Sequence, residues 1–266
     1  MGGIPHHLLD VADPKTHFSA DDFKRLGEQV LRLIVVKGKF PIIVGGTGFY
    51  IDALTGKIQF PNVPPNPKLR KKLLAKSAEE LFKILKKKDP KRAKTIDKHN
   101  KVRLVRALEI VEALGKVPPL GHRMSKWAPY SFVYIGLNPD NSEKRIYIRL
   151  LKRLPEIIRE CKKLHERGLT YKRMHELGLE YRFTAMYLKG EINKKELVEK
   201  LNIAIRQYAK RQMTWFKRNK GIGWFKPSEY LKIERFVVRA MKESNPRHRF
   251  WRPKLYHLTN RPREIS

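Results

Sequence analysis

The chain has 266 residues, 41% hydrophobic and 10% aromatic, and its 59 Lys and Arg against 26 Asp and Glu give a formal charge of +33. This hydrophobic content excludes a wholly disordered polycation, which needs low hydrophobicity as well as high charge, and the single cysteine, Cys161, excludes a disulfide framework and a cysteine-built zinc site. No apolar run approaches the roughly 18–20 residues of a membrane-spanning helix and no secretory signal opens the chain, so the expectation is a soluble, cytoplasmic protein with no membrane partner.

In chain order, Pro5-His6-His7 comes first. Adjacent histidines do not converge on one ion, and a zinc site wants three or four ligands, so the pair reads as structural. Ser19-Ala20-Asp21-Asp22 starts a helix, with a capping serine and two acids at the positive end of the helix dipole. Phe23, Leu26, Val30, Leu31 and Ile34 then recur at helical spacing, and Lys37-Gly38-Lys39 stops it. Phe40-Pro41-Ile42-Ile43-Val44 reads as a short buried parallel strand. It runs into Gly45-Gly46-Thr47-Gly48, and 49–54 reads as a helix. A strand, a Gly-rich turn and a helix are the grammar of an α/β sheet. Such a turn offers backbone N–H groups to an anion, Gly45 and Gly46 permit close approach, and Thr47 adds a hydroxyl. It serves equally as a plain βα connection, because the Lys-Ser/Thr ending of a phosphate loop is missing.

Four prolines between Pro61 and Pro67 mark a break. A basic, helical region follows to Leu114, then a second break over 115–119. Residues 130–137 read as a return strand, and helical patterns dominate from Ser142 to Lys220 with a step at Glu191-Ile192-Asn193. Residues 242–266 are proline-containing and basic, and read as loosely ordered.

The charge is unevenly spread. Residues 1–60 carry seven Lys and Arg against six Asp and Glu, so the remaining +32 lies after them. Three stretches concentrate it: Lys83–Arg106, Lys144–Arg173 and Arg206–Lys220. A fold this positive repels itself unless a polyanion is its usual neighbour, and nucleic acid bound through phosphates is the expected partner. Arg145, Arg149 and Arg153 stack along one helical face, a like-charge arrangement relieved either by an anionic substrate or by Glu156 and Glu160. On a helix through 206–216, Tyr208, Trp215 and Phe216 read as core anchors, while Arg206, Lys210 and Gln212 line another face. Basic residues beside aromatics suit phosphate and base-stacking contacts, and an ordinary amphipathic helix accounts for the same pattern.

Five segments follow one another at characteristic spacing: residues 4–10 (Ile-Pro-His-His-Leu-Leu-Asp), 18–23, 41–50, 103–109 (Arg-Leu-Val-Arg-Ala-Leu-Glu) and 208–216 (Tyr-Ala-Lys-Arg-Gln-Met-Thr-Trp-Phe). As an ordered set, these resemble the tRNA dimethylallyltransferases, also called the tRNA isopentenyltransferase family, from about Gly3 to Phe225. The resemblance implies an α/β fold with a P-loop-kinase-like, nucleotide-binding parallel sheet core and a mainly helical, basic tRNA-binding insertion. With the breaks above, the chain divides into a partial core over 1–60, the insertion over 61–129, a return strand and helices completing the core over 130–225, and a basic, loosely ordered tail over 226–266. The implied activity is transfer of a dimethylallyl group from dimethylallyl diphosphate to the exocyclic amine of the adenosine 3′ of the anticodon, with Mg2+ assisting the diphosphate. The base is flipped out to reach the donor. A monomer is implied, with the tRNA anticodon stem-loop as partner.

By the same resemblance, Thr47 lies at the reaction channel and Arg149 meets the diphosphate, the leaving anion. Arg70 contacts tRNA. So do two segments, one made of Val102, Arg103, Leu104, Val105 and Arg106, the other of Lys210, Arg211, Gln212, Met213, Thr214, Trp215, Phe216 and Lys217. Tyr181 and Arg182 match a third family segment, with Glu180 standing where the family has glycine. The family's Gly-x-x-x-x-Gly-Lys-Ser/Thr loop and the Asp-Ser pair that follows it do not occur in this sequence. They supply the diphosphate cradle and the general base, and are expected upstream of Met1. The alternative expectation is a catalytically inactive fragment that binds the anticodon stem-loop.

Overall fold

Ser19 caps the first helix as its sequence requires. In α1 (Ala20–Val36) the Ser19 hydroxyl accepts from the Asp22 N–H, and the Asp22 carboxylate accepts in return from the Ser19 N–H at 3.0 Å. A computed structural model describes residues 3–118 and 131–244, and its element order continues through α2 (Gly48–Leu54), α3 (Pro67–Leu74), α4 (Ala78–Lys88), α5 (Pro90–Ala93) and α6 (Lys101–Leu114). Then come β1 (Tyr134–Leu137), α7 (Ser142–Glu166), α8 (Tyr171–Leu177), α9 (Leu179–Leu188), α10 (Lys194–Phe216), β2 (Ile222–Phe225) and α11 (Tyr230–Ser244). Two compact units result. One takes the described residues of Met1–Tyr130 with Cys161–Ala185, the other those of Ser131–Glu160 with Met186–Ser266.

In the first unit, α3 to α6 build a core of their own. Leu81, Leu85 and Leu104 are fully enclosed, with Leu73, Ala93, Val105, Leu108 and Val111 packed around them. The helix boundaries follow local chemistry. Asn66 caps α3 with Pro67 at its first position, Ser77 and Glu80 form a capping box on α4, and Gly115 ends α6 at φ 75°. Asp89 is buried, caps α5 through the Arg92 N–H at 3.0 Å and accepts from the Val117 N–H at 2.8 Å, tying the exit of α6 to the end of α4. The Arg92 and Val117 backbone bonds hold its carboxyl below the ordinary carboxylate range. Elsewhere in this unit, Arg173 donates to the carbonyls of Pro14 at 2.9 Å and Thr16 at 2.6 Å, fastening the N-terminal stretch to α8.

The second unit holds a two-stranded parallel sheet in which Tyr134 to Leu137 pair with Ile222 to Phe225 in register. Gly136 faces the Trp224 indole so closely that an added Cβ would lie 2.4 Å from its Cε3. Strand β2 is not foreseen by the sequence pattern. Its four residues are all partly buried and show no alternation.

Two expectations change. Residues 40–44 form no strand and belong to no sheet among the described residues, and Phe40, Ile42 and Val44 are exposed rather than buried, Ile42 by 76% and Val44 by 89%. Extended backbone pairs only with a neighbouring strand, and none adjoins it among the described residues. The stretch after Phe225, read as loose, contains α11, an amphipathic helix packed on β2 through an edge contact of Phe225 and Phe236 at 5.4 Å. Residues 245–266, and the break at 119, lie outside the described residues. Among the described residues, no helix is long and apolar enough to cross a membrane.

Candidate nucleic-acid interface and transfer site

The Gly-rich turn leads into α2 as expected. Gly48 is buried at the head of the helix, Gly45 is open to solvent, and Thr47 is an exposed N-cap whose side chain makes no capping bond. Its carbonyl accepts from the N–H groups of Tyr50 at 2.9 Å and Ile51 at 3.2 Å. The turn is held from beneath by α1. Tyr50 stacks on Phe23 with centroids 4.9 Å apart, and Gly27 lets Leu54 approach so closely that a Cβ there would meet Leu54 Cδ1 at 2.8 Å. Burial, followed by the Asp22 carboxylate, pushes the Tyr50 hydroxyl above its ordinary range.

The two carried-over segments of the helical region divide by burial. On α6, Val102 and Arg103 are exposed and Arg106 is half-buried, whereas Leu104 and Val105 are core residues at 0% and 4% exposure. An RNA contact through the Leu104 or Val105 side chain is closed in this fold. Their place in the segment is to anchor the face that presents Val102, Arg103 and Arg106. Arg70 does not project freely: its Nε and Nη2 donate to the two Glu109 oxygens at 2.7 and 2.8 Å. Arg106 Nη1 reaches the same carboxylate at 3.4 Å, and its Nη2 donates to the Val63 carbonyl at 2.8 Å. Burial pushes the Glu109 carboxyl up, but the Arg70 guanidinium and the Asn66 N–H more than offset it and hold it below the ordinary range. Glu109 is the residue that sequence reasoning missed. Its signal is an acid inside an otherwise buried run, Ala107 to Val111, three residues after an arginine.

Tyr181 is half-buried on α9, and Arg182 is exposed with its Nε donating to the His175 carbonyl at 3.2 Å. Glu180 in place of glycine needs no unusual backbone. It lies in the first turn of α9, where an acid suits the helix dipole, and the left-handed geometry falls on Gly178 at φ 84° and Leu179 at φ 34°.

In the second unit, Arg149 is exposed on α7, and its side chain has no hydrogen-bond or ion-pair partner among the described residues. On α10, Lys210, Arg211, Thr214 and Lys217 are exposed, and Gln212 and Met213 are half-buried. Tyr208, Trp215 and Phe216 are only half-buried, so the expectation of core anchors is corrected. Leu197 and Leu201, earlier on the helix, are the buried residues. The aromatics carry guanidinium groups instead: Arg218 lies 3.9 Å over the Trp215 ring and Arg211 5.9 Å over that of Tyr208. Arg206 is ion-paired with Glu143 rather than open.

These surfaces favour anions. No group of three or more His, Cys, Asp or Glu among the described residues is placed to hold a metal ion.

The sequence model of the IPP transferase family matches residues 1–219. The tRNA dimethylallyltransferase of Anoxybacillus flavithermus is 36% identical over 247 residues, 88% of this chain and 76% of that protein. The tRNA dimethylallyltransferase 1 of Geotalea uraniireducens is 40% identical over 220 residues, 82% and 71% of the two chains. The crystal structure of a full-length tRNA isopentenylpyrophosphate transferase from Bacillus halodurans shares 31% identity and a TM-score of 0.65, covering 92% of this chain and 81% of that one. A eukaryotic dimethylallyltransferase, solved acting on tRNA, shares the fold at a TM-score of 0.69 and 23% identity, over 91% of this chain and 64% of its own.

Proposed function

This chain belongs to the IPP transferase family, that of the tRNA dimethylallyltransferases, and we propose that it acts in the transfer of a dimethylallyl group to tRNA. The observation that carries this is the family match over residues 1–219 together with relatives of that name covered over more than two thirds of their length. In finer detail, the donor is dimethylallyl diphosphate and the acceptor is the exocyclic amine of the adenosine 3′ of the anticodon. The carbon–oxygen bond to diphosphate breaks as the nitrogen–carbon bond forms, diphosphate departs as the anion, and the amine's proton passes to solvent water. The core is of the P-loop kinase type, and the protein acts as a cytoplasmic monomer.

The chain's own residues divide the work. Exposed cations on α6 and α10 bind the RNA backbone, and the half-exposed Trp215 and Tyr208 offer stacking faces. Thr47, at an exposed helix start, orients the acceptor by hydrogen bonding. Arg149, whose side chain has no partner among the described residues, binds the departing diphosphate. Magnesium, where present, neutralises diphosphate charge.

The test is to mix the chain with unmodified tRNA, dimethylallyl diphosphate and magnesium, digest the RNA, and look for dimethylallyladenosine by mass. Product supports the transferase reading for this chain as it stands; tRNA bound with no gain of mass returns the RNA-binding alternative. In an active preparation, Arg149→Ala is expected to lower kcat by about 10²-fold or more with tRNA affinity kept. An equal loss of affinity reassigns Arg149 to RNA.

A further inference from the structure

The side chain of Glu109 has no exposed surface, yet it sits in the most basic region of the first unit. Four donors converge on its two oxygens. Oε1 accepts from Arg70 Nε at 2.7 Å and from the Asn66 N–H at 2.9 Å, and Oε2 accepts from Arg70 Nη2 at 2.8 Å and Arg106 Nη1 at 3.4 Å. Arg106 is held a second time, through Nη2 to the Val63 carbonyl at 2.8 Å. A carboxylate so engaged fixes the planar forks of two arginines and the loop from Val63 to Asn66 at once. Neither arginine is used up. Arg70 keeps 41% and Arg106 33% of its side-chain surface exposed, and Arg70 Nη1 donates to nothing among the described residues.

Two long cations presented on flexible stems would lose rotamer freedom on meeting a phosphate. Here folding has already removed that freedom. The net charge of the cluster is +1, so its value to an anion lies in geometry more than in charge.

We propose that Glu109 is a positioning residue for RNA binding, holding the Arg70 and Arg106 guanidinium groups as one fixed pair whose outward N–H groups meet a phosphate of the tRNA backbone. This rests on the tRNA-binding reading of α3 to α6 given above.

The sign of one substitution separates positioning from charge. Glu109→Gln raises the net charge by one, and simple electrostatics then tightens RNA binding. Positioning requires the opposite. Binding of unmodified tRNA to the full 266-residue chain is expected to weaken about tenfold, the loss of roughly one charge-assisted hydrogen bond, with a shallower salt dependence. Arg70→Ala is expected to weaken it similarly, and the double variant by less than the product of the two. Unchanged or tighter binding by Glu109→Gln overturns the proposal, as do losses that multiply. Should Glu109→Gln melt the helical region, Arg70→Lys carries the test. It keeps the charge and removes the fork, so a loss of about tenfold supports positioning and unchanged affinity overturns it. Failure of the underlying reading looks different: the unaltered chain then shows no preference for an anticodon stem-loop over an arbitrary duplex, and the proposal falls with it. If the unaltered chain shows that preference and Glu109→Gln keeps it at full strength, the positioning proposal fails alone.

Discussion

Two stretches of the first unit that both carry large apolar side chains have opposite fates. In α3 to α6, Leu81, Leu85 and Leu104 are wholly enclosed. In Phe40-Pro41-Ile42-Ile43-Val44, three of the four large apolar side chains are exposed by more than half. The difference is in what each backbone needs. A helix bonds its own N–H and C=O groups, and in α3 to α6 its apolar stripe is covered by another helix of the same short stretch of chain. An extended segment needs a strand beside it, from elsewhere in sequence, before its side chains have a surface to pack on. Apolar composition therefore predicts burial where the partner is local, and leaves it open where the partner is distant.

The largest expected effect sharpens this contrast. Leu104→Ala removes a wholly enclosed side chain and should cost about 2–5 kcal/mol, whereas Ile42→Ala, at an exposed site, should stay within about 0.5 kcal/mol. Amide hydrogen exchange in α4 and α6 reads the first and chemical denaturation both; equal losses would break the comparison. Next is Gly27→Ala. Its Cβ would meet the buried Leu54 at 2.8 Å, so overpacking should destabilise the α1–α2 contact by about 1–3 kcal/mol. A neutral or stabilising change, read by the same denaturation, would mean that Leu54 has room to rotate away.

A smaller effect follows from acid. Asp89 and Glu109 both have carboxyls held below their ordinary values of 3.8 and 4.5, by hydrogen bonds present only in the folded helical region. A folded-state pKa that is depressed contributes stability in full above the unfolded value and loses it as pH falls through the folded one. The helical region should thus hold constant from neutrality to about pH 5 and weaken below it. Asp89→Asn should flatten that fall, as read by hydrogen exchange at α4 and α6 across pH 3–6. An identical slope in the variant would remove Asp89 from the account.

Much of the molecule was legible residue by residue. Ser19 and Asp22 announce the start of α1, Asn193 marks that of α10, and Gly38 and Gly115 mark stops, because caps and left-handed exits depend on a few adjacent residues. The ordered motifs resemble the family, and the +33 charge points to a polyanionic partner. What lay beyond the sequence was which side chains share a surface. Strand β2 exists because β1 lies beside it, and its four residues carry no alternation to betray it. Tyr208, Trp215 and Phe216 have the spacing of a core face and instead are only half-buried, the first two beneath arginines. Arg70 and Arg106 could be read as two separate cations. Only the fold brings them, across about forty residues of chain, to one buried carboxylate. Local hydrogen bonding and periodicity are written in neighbouring residues, whereas pairing, burial and ion-pair partnership depend on where distant segments come to rest.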